Sequence, residues 1–259
     1  MTDTKLFLTI ATTGLRDDAD PEFRPEIVQL SLASAEGDEL LTKCIVPTGT
    51  FQPEASKFNG YTIRKTKNGK RKLFRNGKKV KTVPLEQAIH KLLEVIKAQR
   101  EQAPSGGRIL LMGYNSKEYD IPVLENQMRE CGLSTEPQWS MVICADLYLL
   151  IRSLVKSHQI LPNHQGDLKM TTIFNELCGR QERHMHNAVQ DAQKLIAIYD
   201  KVKEFDIEPF TFQFKAFQGT KRKRDTGDSF DDQDRAQKFS SNVSDVDVRQ
   251  SKRVKTSPW

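Results

Sequence analysis

The 259-residue sequence has few cysteines and no long apolar run, and both absences exclude whole classes of protein. Its four cysteines, Cys44, Cys131, Cys144 and Cys178, are widely spaced and form no C-x-x-C pair. Neither a zinc site nor a disulfide framework is therefore expected, and we predict free thiols in a reducing compartment. No apolar stretch approaches the ~20 residues of a membrane-spanning helix, and the N-terminus lacks a signal-peptide pattern. No membrane partner is expected.

Acidic residues are absent from residues 61–81, which contain ten lysines and arginines. The chain has a formal charge of +6, and the remainder of residues 1–219 is net acidic. Asn-Gly pairs at 68–69 and 76–77 favour type I′ hairpin turns, because asparagine and glycine adopt positive φ at little cost. We interpret residues 62–83 as a basic β-ribbon, either three-stranded or formed by one hairpin and a turn.

The concentrated positive charge of this ribbon indicates phosphate groups as its partner. Counter-ion release would make such binding strongly salt-dependent and insensitive to base sequence. The alternative is a solvated ribbon that has no partner. The candidate nucleic-acid-binding residues of the ribbon are Lys65, Lys67, Lys70, Arg71, Lys72, Arg75, Lys78, Lys79 and Lys81.

The order of predicted elements indicates an α/β fold. Residues 5–15 form a nearly continuous apolar run that ends at Thr-Thr-Gly, which is typical of a strand buried on both faces. Further strands are predicted at 26–33, 39–46, 108–114 and 141–144, with a hairpin joining the first two of these. Helices are predicted at 84–100, 120–131, 146–155 and 168–178, and a last helix ends near Phe205.

The composition changes near residue 219, after which serine and aspartate are frequent and apolar residues are few. We divide the chain into a domain at 1–218 and a disordered tail at 219–259. Two basic clusters in this tail predict nuclear localisation, with a nuclear import receptor as partner; the alternative is a solubilising tail. The clusters consist of Lys221, Arg222, Lys223 and Arg224, and of Lys252, Arg253 and Lys255.

Three motifs in the sequence resemble those of the DEDDh family of 3′–5′ exonucleases. The matching residues are Thr12-Thr13-Gly14-Leu15, then Gly113-x-Asn115 with Tyr119-Asp120, then His186-x-Ala188-x-x-Asp191-Ala192. The resemblance covers about residues 5–205. It implies a ribonuclease-H-like fold with a five-stranded mixed sheet and helices on both faces, to which the basic ribbon is an insertion.

The resemblance extends in detail to one branch, the exonuclease-like domain of promyelocytic leukaemia (PML) protein and the PML-like exonuclease proteins. The matching residues are Ala55-Ser56-Lys57-x-x-Gly60 and Leu73-Phe74-x-x-Gly77-Lys78-x-Val80-x-Thr82-Val83-Pro84-Leu85. This branch implies a nuclear protein, with the cytoplasm as a second location, that acts on nucleic-acid 3′ ends or descends from enzymes that do. In the DEDDh family, residues 57–61 would correspond to a loop beside the substrate's 3′ terminus; the alternative is an ordinary loop with a turn that requires glycine.

The first motif lacks the two acidic residues of the family, because Thr9 and Ala11 occupy their positions. In the family, four carboxylates hold two divalent cations and a histidine acts as general base toward water. The resemblance assigns His186 to the general-base position. It assigns Asp120 and Asp191 as the remaining catalytic and metal-binding carboxylates. We also count Asn115 among the candidate nucleic-acid-binding residues.

A hydroxyl and a methyl group cannot replace two anionic ligands of hard cations, so no cofactor is expected, and Mg²⁺ or Mn²⁺ would be needed for activity. The leading hypothesis is a nuclear pseudoenzyme, a catalytically impaired 3′–5′ exonuclease that binds single-stranded ends or the nucleic-acid backbone. Two alternatives stay open. One is an active metal-dependent 3′–5′ exonuclease on single-stranded DNA or RNA, and the other is a protein-interaction module with a vestigial cleft.

Overall fold

The computed structural model describes residues 3–15, 22–103, 107–133, 139, 142–180 and 187–214, which form nine strands and six α-helices. The strands are β1 (Thr4–Thr12), β2 (Ile27–Ser34), β3 (Glu39–Cys44), β4 (Tyr61–Lys65), β5 (Arg71–Arg75), β6 (Lys78–Lys79), β7 (Ile109–Gly113), β8 (Val142–Asp146) and β9 (Thr211–Gln213). The helices are α1 (Pro53–Asn59), α2 (Leu85–Gln102), α3 (Asp120–Glu130), α4 (Leu147–Lys156), α5 (Met170–Cys178) and α6 (Ala188–Val202).

The predicted tail at 219–259 and both of its basic clusters lie outside the described residues, so the division of the chain into a domain and a tail stays a prediction. The four cysteines are described, and all are free thiols, as expected. Within the described ranges, no helix combines the length and apolar character needed to cross a bilayer.

The main sheet has the strand order β3-β2-β1-β7-β8-β9. β1 pairs antiparallel with β2 and parallel with β7, so the mixed ribonuclease-H-like α/β architecture is confirmed. The prediction of five strands is wrong, because β9 adds a sixth strand antiparallel to β8. β9 has only three residues, which is too short for an alternating apolar pattern to be recognised in the sequence.

Both faces of β1 are buried, as the apolar run at its centre predicts. Leu6 and Leu8 point into a core that they share with Ile89 of α2, whereas Phe7 points into the opposite core with Leu195 of α6. Each fully buried aliphatic or aromatic side chain contributes about 1.5–3 kcal/mol to folding, so this strand is fixed from two sides.

Residues 57–61 differ from the predicted loop, because most of this segment belongs to α1. Pro53 provides the fixed φ that suits a first helical turn. The helix ends at Gly60, whose φ of 74° would strain other residues and whose N–H donates to the Ser56 carbonyl. As a consequence Phe58 lies on a helix, with 54% of its surface exposed.

The ribbon is three-stranded, with the order β4-β5-β6, which confirms the first of the two predicted forms. Asn76 and Gly77 have φ values of 48° and 77°, as a type I′ turn requires. The prediction of a second type I′ turn at 68–69 is wrong, because only Gly69 has a positive φ there. The Gly69 N–H bonds to the Thr66 carbonyl and Thr66 pairs with Lys70, so a longer loop closes this hairpin.

The base of the ribbon is anchored on the end of β1. Tyr61 and Leu73 are each 1% exposed and pack in one cluster with Ala11. The side-chain amide of Asn59 donates to the Thr12 carbonyl over 3.0 Å, and its oxygen accepts from the Tyr61 N–H. The basic ribbon therefore begins where the first motif ends.

Candidate nucleic-acid cleft

A cavity of about 260 Å³ lies at the end of β1, between this strand, α1 and α6. Ala11 of β1 and Asp191 of α6 both line it, so the first and third motifs meet there. Tyr119 contributes the second motif to the same wall. The structure thus brings the three sequence motifs together, although Glu54 and Phe58 of α1, which also line the cavity, were not foreseen.

Thr9 holds α6 against the sheet. Its side chain is almost fully buried, and its hydroxyl donates to the carbonyl of Ala188 in the first turn of α6. Gln29 of β2 adds a second attachment, since it accepts from the Ala188 N–H and donates to Asn187, the N-cap of this helix. The position that the resemblance assigns to a metal-binding aspartate is therefore occupied by a helix anchor.

Tyr119 and Asp120 bring the second motif to the cleft. The Tyr119 hydroxyl donates to the Gly14 carbonyl and also hydrogen-bonds to the Thr12 hydroxyl, which fixes the Thr-Thr-Gly turn. Burial raises the pKa of Tyr119 to about 12, so the phenol stays protonated as a donor. Burial, and then the negative charges of Asp146 and Asp191, raise the pKa of Asp120 well above its ordinary value.

Asp146 supports the second motif from β8 and was not predicted as a site residue. Its fully buried carboxylate accepts backbone N–H bonds from Asn115, Lys117 and Tyr148 at 2.9–3.0 Å. Burial raises its pKa, and these bonds counteract part of that rise. Asp146 is the N-cap of α4, so an aspartate directly before an apolar helix was the available sequence signal.

Asp191 lies beside the buried, positively charged side chain of Lys194. It is one turn inside α6, and the ammonium Nζ of Lys194 is 3.4 Å from its Oδ1 atom. Lys194 is only 3% exposed, whereas lysines are almost never buried to this extent unless they are paired. The sequence indicated Asp191 through its motif, but no pattern marked Lys194.

The described residues do not fit a site for two divalent cations. They contain no group of three or more His, Cys, Asp or Glu side chains arranged to hold a metal ion. The Thr9 hydroxyl already donates to a carbonyl, and Ala11 has no ligand atom. His186, the predicted general base, lies outside the described residues.

A second cavity of about 540 Å³ continues the cleft on the far side of Leu15 and Phe58, which line both cavities. These two are the large apolar side chains with high exposure in the described chain, at 64% and 54%. The predicted residue Asn115 lines the second cavity together with Tyr114 and Tyr148. Leu15 and Phe58 were not predicted as site residues, because isolated apolar residues in a sequence carry no such signal.

The predicted cations of the ribbon fall into two groups. Arg71 donates to the backbone carbonyls of Thr48 and Gly49, and the Arg75 guanidinium lies 5.5 Å from the centre of the Tyr61 ring. These two arginines therefore contribute to the protein's own structure, and Lys72 is half-buried. The exposed lysines are Lys65, Lys67, Lys70, Lys78, Lys79 and Lys81.

The chain is similar in sequence to mouse Three prime repair exonuclease 2, with 24% identity over 218 residues that cover 76% of this chain and 82% of the relative. The human protein of the same name is 22% identical. No protein-family model matches the chain.

Solved exonuclease structures have the same fold. A 3′-exonuclease described by its 3′-end-specific recognition of histone mRNA stem-loop has a TM-score of 0.52 and 13% identity, covering 80% of this chain and 84% of that one. A zinc-bound complex of E. coli exonuclease I with single-stranded DNA has a TM-score of 0.54 and 15% identity. That match covers 79% of this chain but only 41% of the exonuclease I chain.

This chain has the 3′-exonuclease fold. Its sequence is related to the 3′ repair exonucleases. At the end of β1, where the three motifs meet, it differs from the DEDDh pattern at Thr9 and Ala11.

Proposed function

We propose that this protein binds single-stranded nucleic acid through its basic ribbon and cleft, and that it is a catalytically impaired 3′–5′ exonuclease. The observation that carries the proposal is the anchoring of the ribbon on the end of β1, beside the cavity that Ala11 and Asp191 line. A strand whose phosphates contact the ribbon can therefore reach the cleft with its 3′ end. The relatives support this assignment, since one exonuclease I structure contains single-stranded DNA.

The two surfaces would bind different parts of the nucleic acid. The exposed lysines of the ribbon suit phosphates, because their ammonium groups are solvated and their contacts do not depend on base identity. Leu15 and Phe58 suit bases, because exposed apolar and aromatic side chains provide surfaces on which unpaired bases stack. Asn115 adds an exposed polar group at the second cavity.

The impairment follows from the ligand atoms at the cleft. Hydrolysis by this fold needs carboxylates that hold Mg²⁺ or Mn²⁺, and the chain presents a hydroxyl and a methyl group at two of those positions. Asp120 and Asp191 remain as the predicted carboxylates. An active exonuclease and a pure protein-interaction module are the outcomes that would replace this proposal.

The salt dependence of binding tests the ribbon. We would replace Lys67, Lys70, Lys78 and Lys79 by glutamine and measure affinity for a labelled single strand, DNA and RNA in turn, across a salt series. For single strands the slope of log K against log [salt] changes by about 0.7 for each phosphate contact, so the four substitutions should reduce it by up to about 3. The neutral ribbon should keep its fold, since these side chains are exposed.

A matched control removes the same charge elsewhere. Lys91, Lys97, Lys201 and Lys203 are exposed lysines on α2, on α6 and just after α6, and their replacement by glutamine should leave the slope nearly unchanged. An equal reduction in both variants would mean that net charge, not the ribbon, governs binding. Absence of any affinity in the unsubstituted protein would favour the protein-interaction module.

We also propose that the protein is nuclear and belongs to the PML-like branch. The support is the sequence match of the ribbon and the two basic clusters of the C-terminal segment, which lies outside the described residues. Imaging of the full fluorescently tagged chain tests this proposal. Replacement of Lys221, Arg222, Lys223 and Arg224 by glutamine, together with Lys252, Arg253 and Lys255, should shift the protein to the cytoplasm, and an unchanged distribution would contradict it.

A further inference from the structure

One lysine is buried next to a carboxylate that lines the cleft. Lys194 is 3% exposed, and its Nζ lies 3.4 Å from Oδ1 of Asp191, three residues earlier on α6. Asp191 itself lines the cavity at the end of β1. Because a lysine buried to this degree needs a countercharge, the ammonium belongs to the internal charge arrangement of the cleft.

The two carboxylates that interact with Asp120 are compensated in different ways. Asp146 accepts three backbone N–H bonds, and Asp191 faces the Lys194 ammonium. Asp120 interacts electrostatically with both of these carboxylates. The protein itself therefore provides a positive charge for Asp191 and hydrogen-bond donors for Asp146.

A divalent ion at Asp191 would meet an unfavourable environment. It would lie next to an ammonium that already faces Oδ1, and charges of equal sign repel strongly in a partly buried site. The side chain of Ala11, which also lines the cavity, contributes no oxygen that could offset this repulsion. A positive charge already faces this carboxylate from the Lys194 side chain.

We propose that Lys194 is the resident cation of the cleft and that its ammonium takes the place of a divalent metal ion beside Asp191. This inference deepens the proposed function and rests on it for the meaning of the cleft, but it concerns cation binding by the protein alone. Lys194 is buried and acts through Asp191, so it is a positioning residue.

Mn²⁺ binding without nucleic acid tests the inference. Mn²⁺ is the probe, followed by electron paramagnetic resonance of the free ion and by the thermal midpoint in Mn²⁺ and in EDTA. The unsubstituted protein should bind no Mn²⁺ at the cleft and should unfold at the same temperature in both conditions. Lys194→Met keeps the length of the side chain but removes its charge; it should unfold earlier in EDTA, bind Mn²⁺, and recover part of its midpoint when Mn²⁺ is added.

Three control variants separate this role from simple packing. Lys194→Arg keeps the charge and should remain insensitive to Mn²⁺. Lys201→Met makes the same change at an exposed position of α6 and should not gain Mn²⁺ binding. The double variant Asp191→Asn/Lys194→Met removes both charges, so it should not bind Mn²⁺ at this site. It should also be more stable in EDTA than Lys194→Met, because no unpaired carboxylate remains at position 191.

Two results would overturn the inference. One is tight Mn²⁺ binding to the unsubstituted protein that disappears in Asp191→Asn, which remains measurable even if Lys194→Met does not fold. The other is a folded Lys194→Met variant that gains no Mn²⁺ site. Neither result depends on nucleic-acid binding, so failure of the proposed function at the ribbon would be seen separately in the salt series.

Discussion

The ribbon and the cleft differ in whether their charged side chains are paired within the protein. In the cleft, Asp191 faces Lys194 and Asp146 accepts backbone N–H groups, so charges are compensated inside the protein. On the ribbon, the exposed lysines form no ion pair with any acidic side chain of the described chain. The two proposals therefore assign an external anion to the ribbon and no external cation to the cleft.

The cleft matches the DEDDh pattern in its backbone turn but differs from it in its carboxylates. The turn that follows β1 is kept, with Tyr119 fixing Thr12 and Gly14. The carboxylates of the first motif are absent, and Thr9 instead fastens α6 to β1. The scaffold is intact, while the anionic part of the site is reduced.

Restoring the two carboxylates should have the largest effect on stability. In Thr9→Asp/Ala11→Glu, a carboxylate replaces the hydroxyl that donates to the Ala188 carbonyl, and a second one enters the cavity. Uncompensated buried charge costs about 4 kcal/mol, which should appear as a loss of unfolding free energy in urea with EDTA present.

Mn²⁺ should recover part of this loss and produce 3′-shortened products from a labelled single strand. The Thr9→Val/Ala11→Val variant is the matched control, since it changes the same positions without adding ligands and should show neither effect. If Thr9→Asp/Ala11→Glu were as stable in EDTA as the unsubstituted protein, positions 9 and 11 would not be buried as described.

Removing Asp146 should have the next largest effect. Asp146→Ala deletes the N-cap of α4 and leaves the N–H groups of Asn115 and Lys117 without their acceptor. We expect a loss of about 3 kcal/mol in urea unfolding, because an orphaned buried donor costs more than a lost exposed bond. Asp200→Ala, at an exposed position of α6, should change stability by less than about 0.5 kcal/mol, and similar losses in both variants would contradict the internal role of Asp146.

Thr9→Val should have a smaller effect on the helix anchor. The substitution keeps the shape of the side chain but removes the hydroxyl that donates to the Ala188 carbonyl. A loss of about 1 kcal/mol is expected. Hydrogen exchange should show faster opening at the start of α6, and uniform exchange across the helix would show that Thr9 does not anchor it.

The smallest effect should depend on pH. The pKa of Asp120 is raised, so the folded state holds this proton more tightly than the unfolded state does. The stability of the unsubstituted protein should therefore decrease as pH rises above the ordinary value of 3.8 and through the raised pKa. Asp120→Asn cannot ionise, so its advantage in thermal midpoint should grow as the pH rises from about 4 through the raised pKa of Asp120. If the difference in thermal midpoint between the two proteins did not change with pH, the pKa of Asp120 would not be raised by burial as described.

The parts of the fold with strong local patterns could be predicted from the sequence. Residues 5–15 are apolar on both sides of the strand, and β1 is central and buried on both faces. The short turn between β2 and β3 and the Asn76-Gly77 turn were also predicted correctly, because glycine and asparagine favour the conformations needed there.

Features that depend on tertiary contacts could not be predicted. β9 is too short to show periodicity and is fixed by pairing with β8. The burial of Lys194 depends on how α6 packs on the sheet, and a lysine three residues after an aspartate usually faces solvent on a helix. Phe58 became a cleft residue only because α1 presents it between the two cavities.

Incubation of the unsubstituted protein with a 5′-labelled single strand, in Mn²⁺ and in EDTA, tests the central claim most directly. Binding and strand length are followed in the same samples. The account predicts that the strand is bound in both conditions and keeps its full length. A ladder of 3′-shortened products that requires Mn²⁺ and disappears in Asp191→Asn would contradict it.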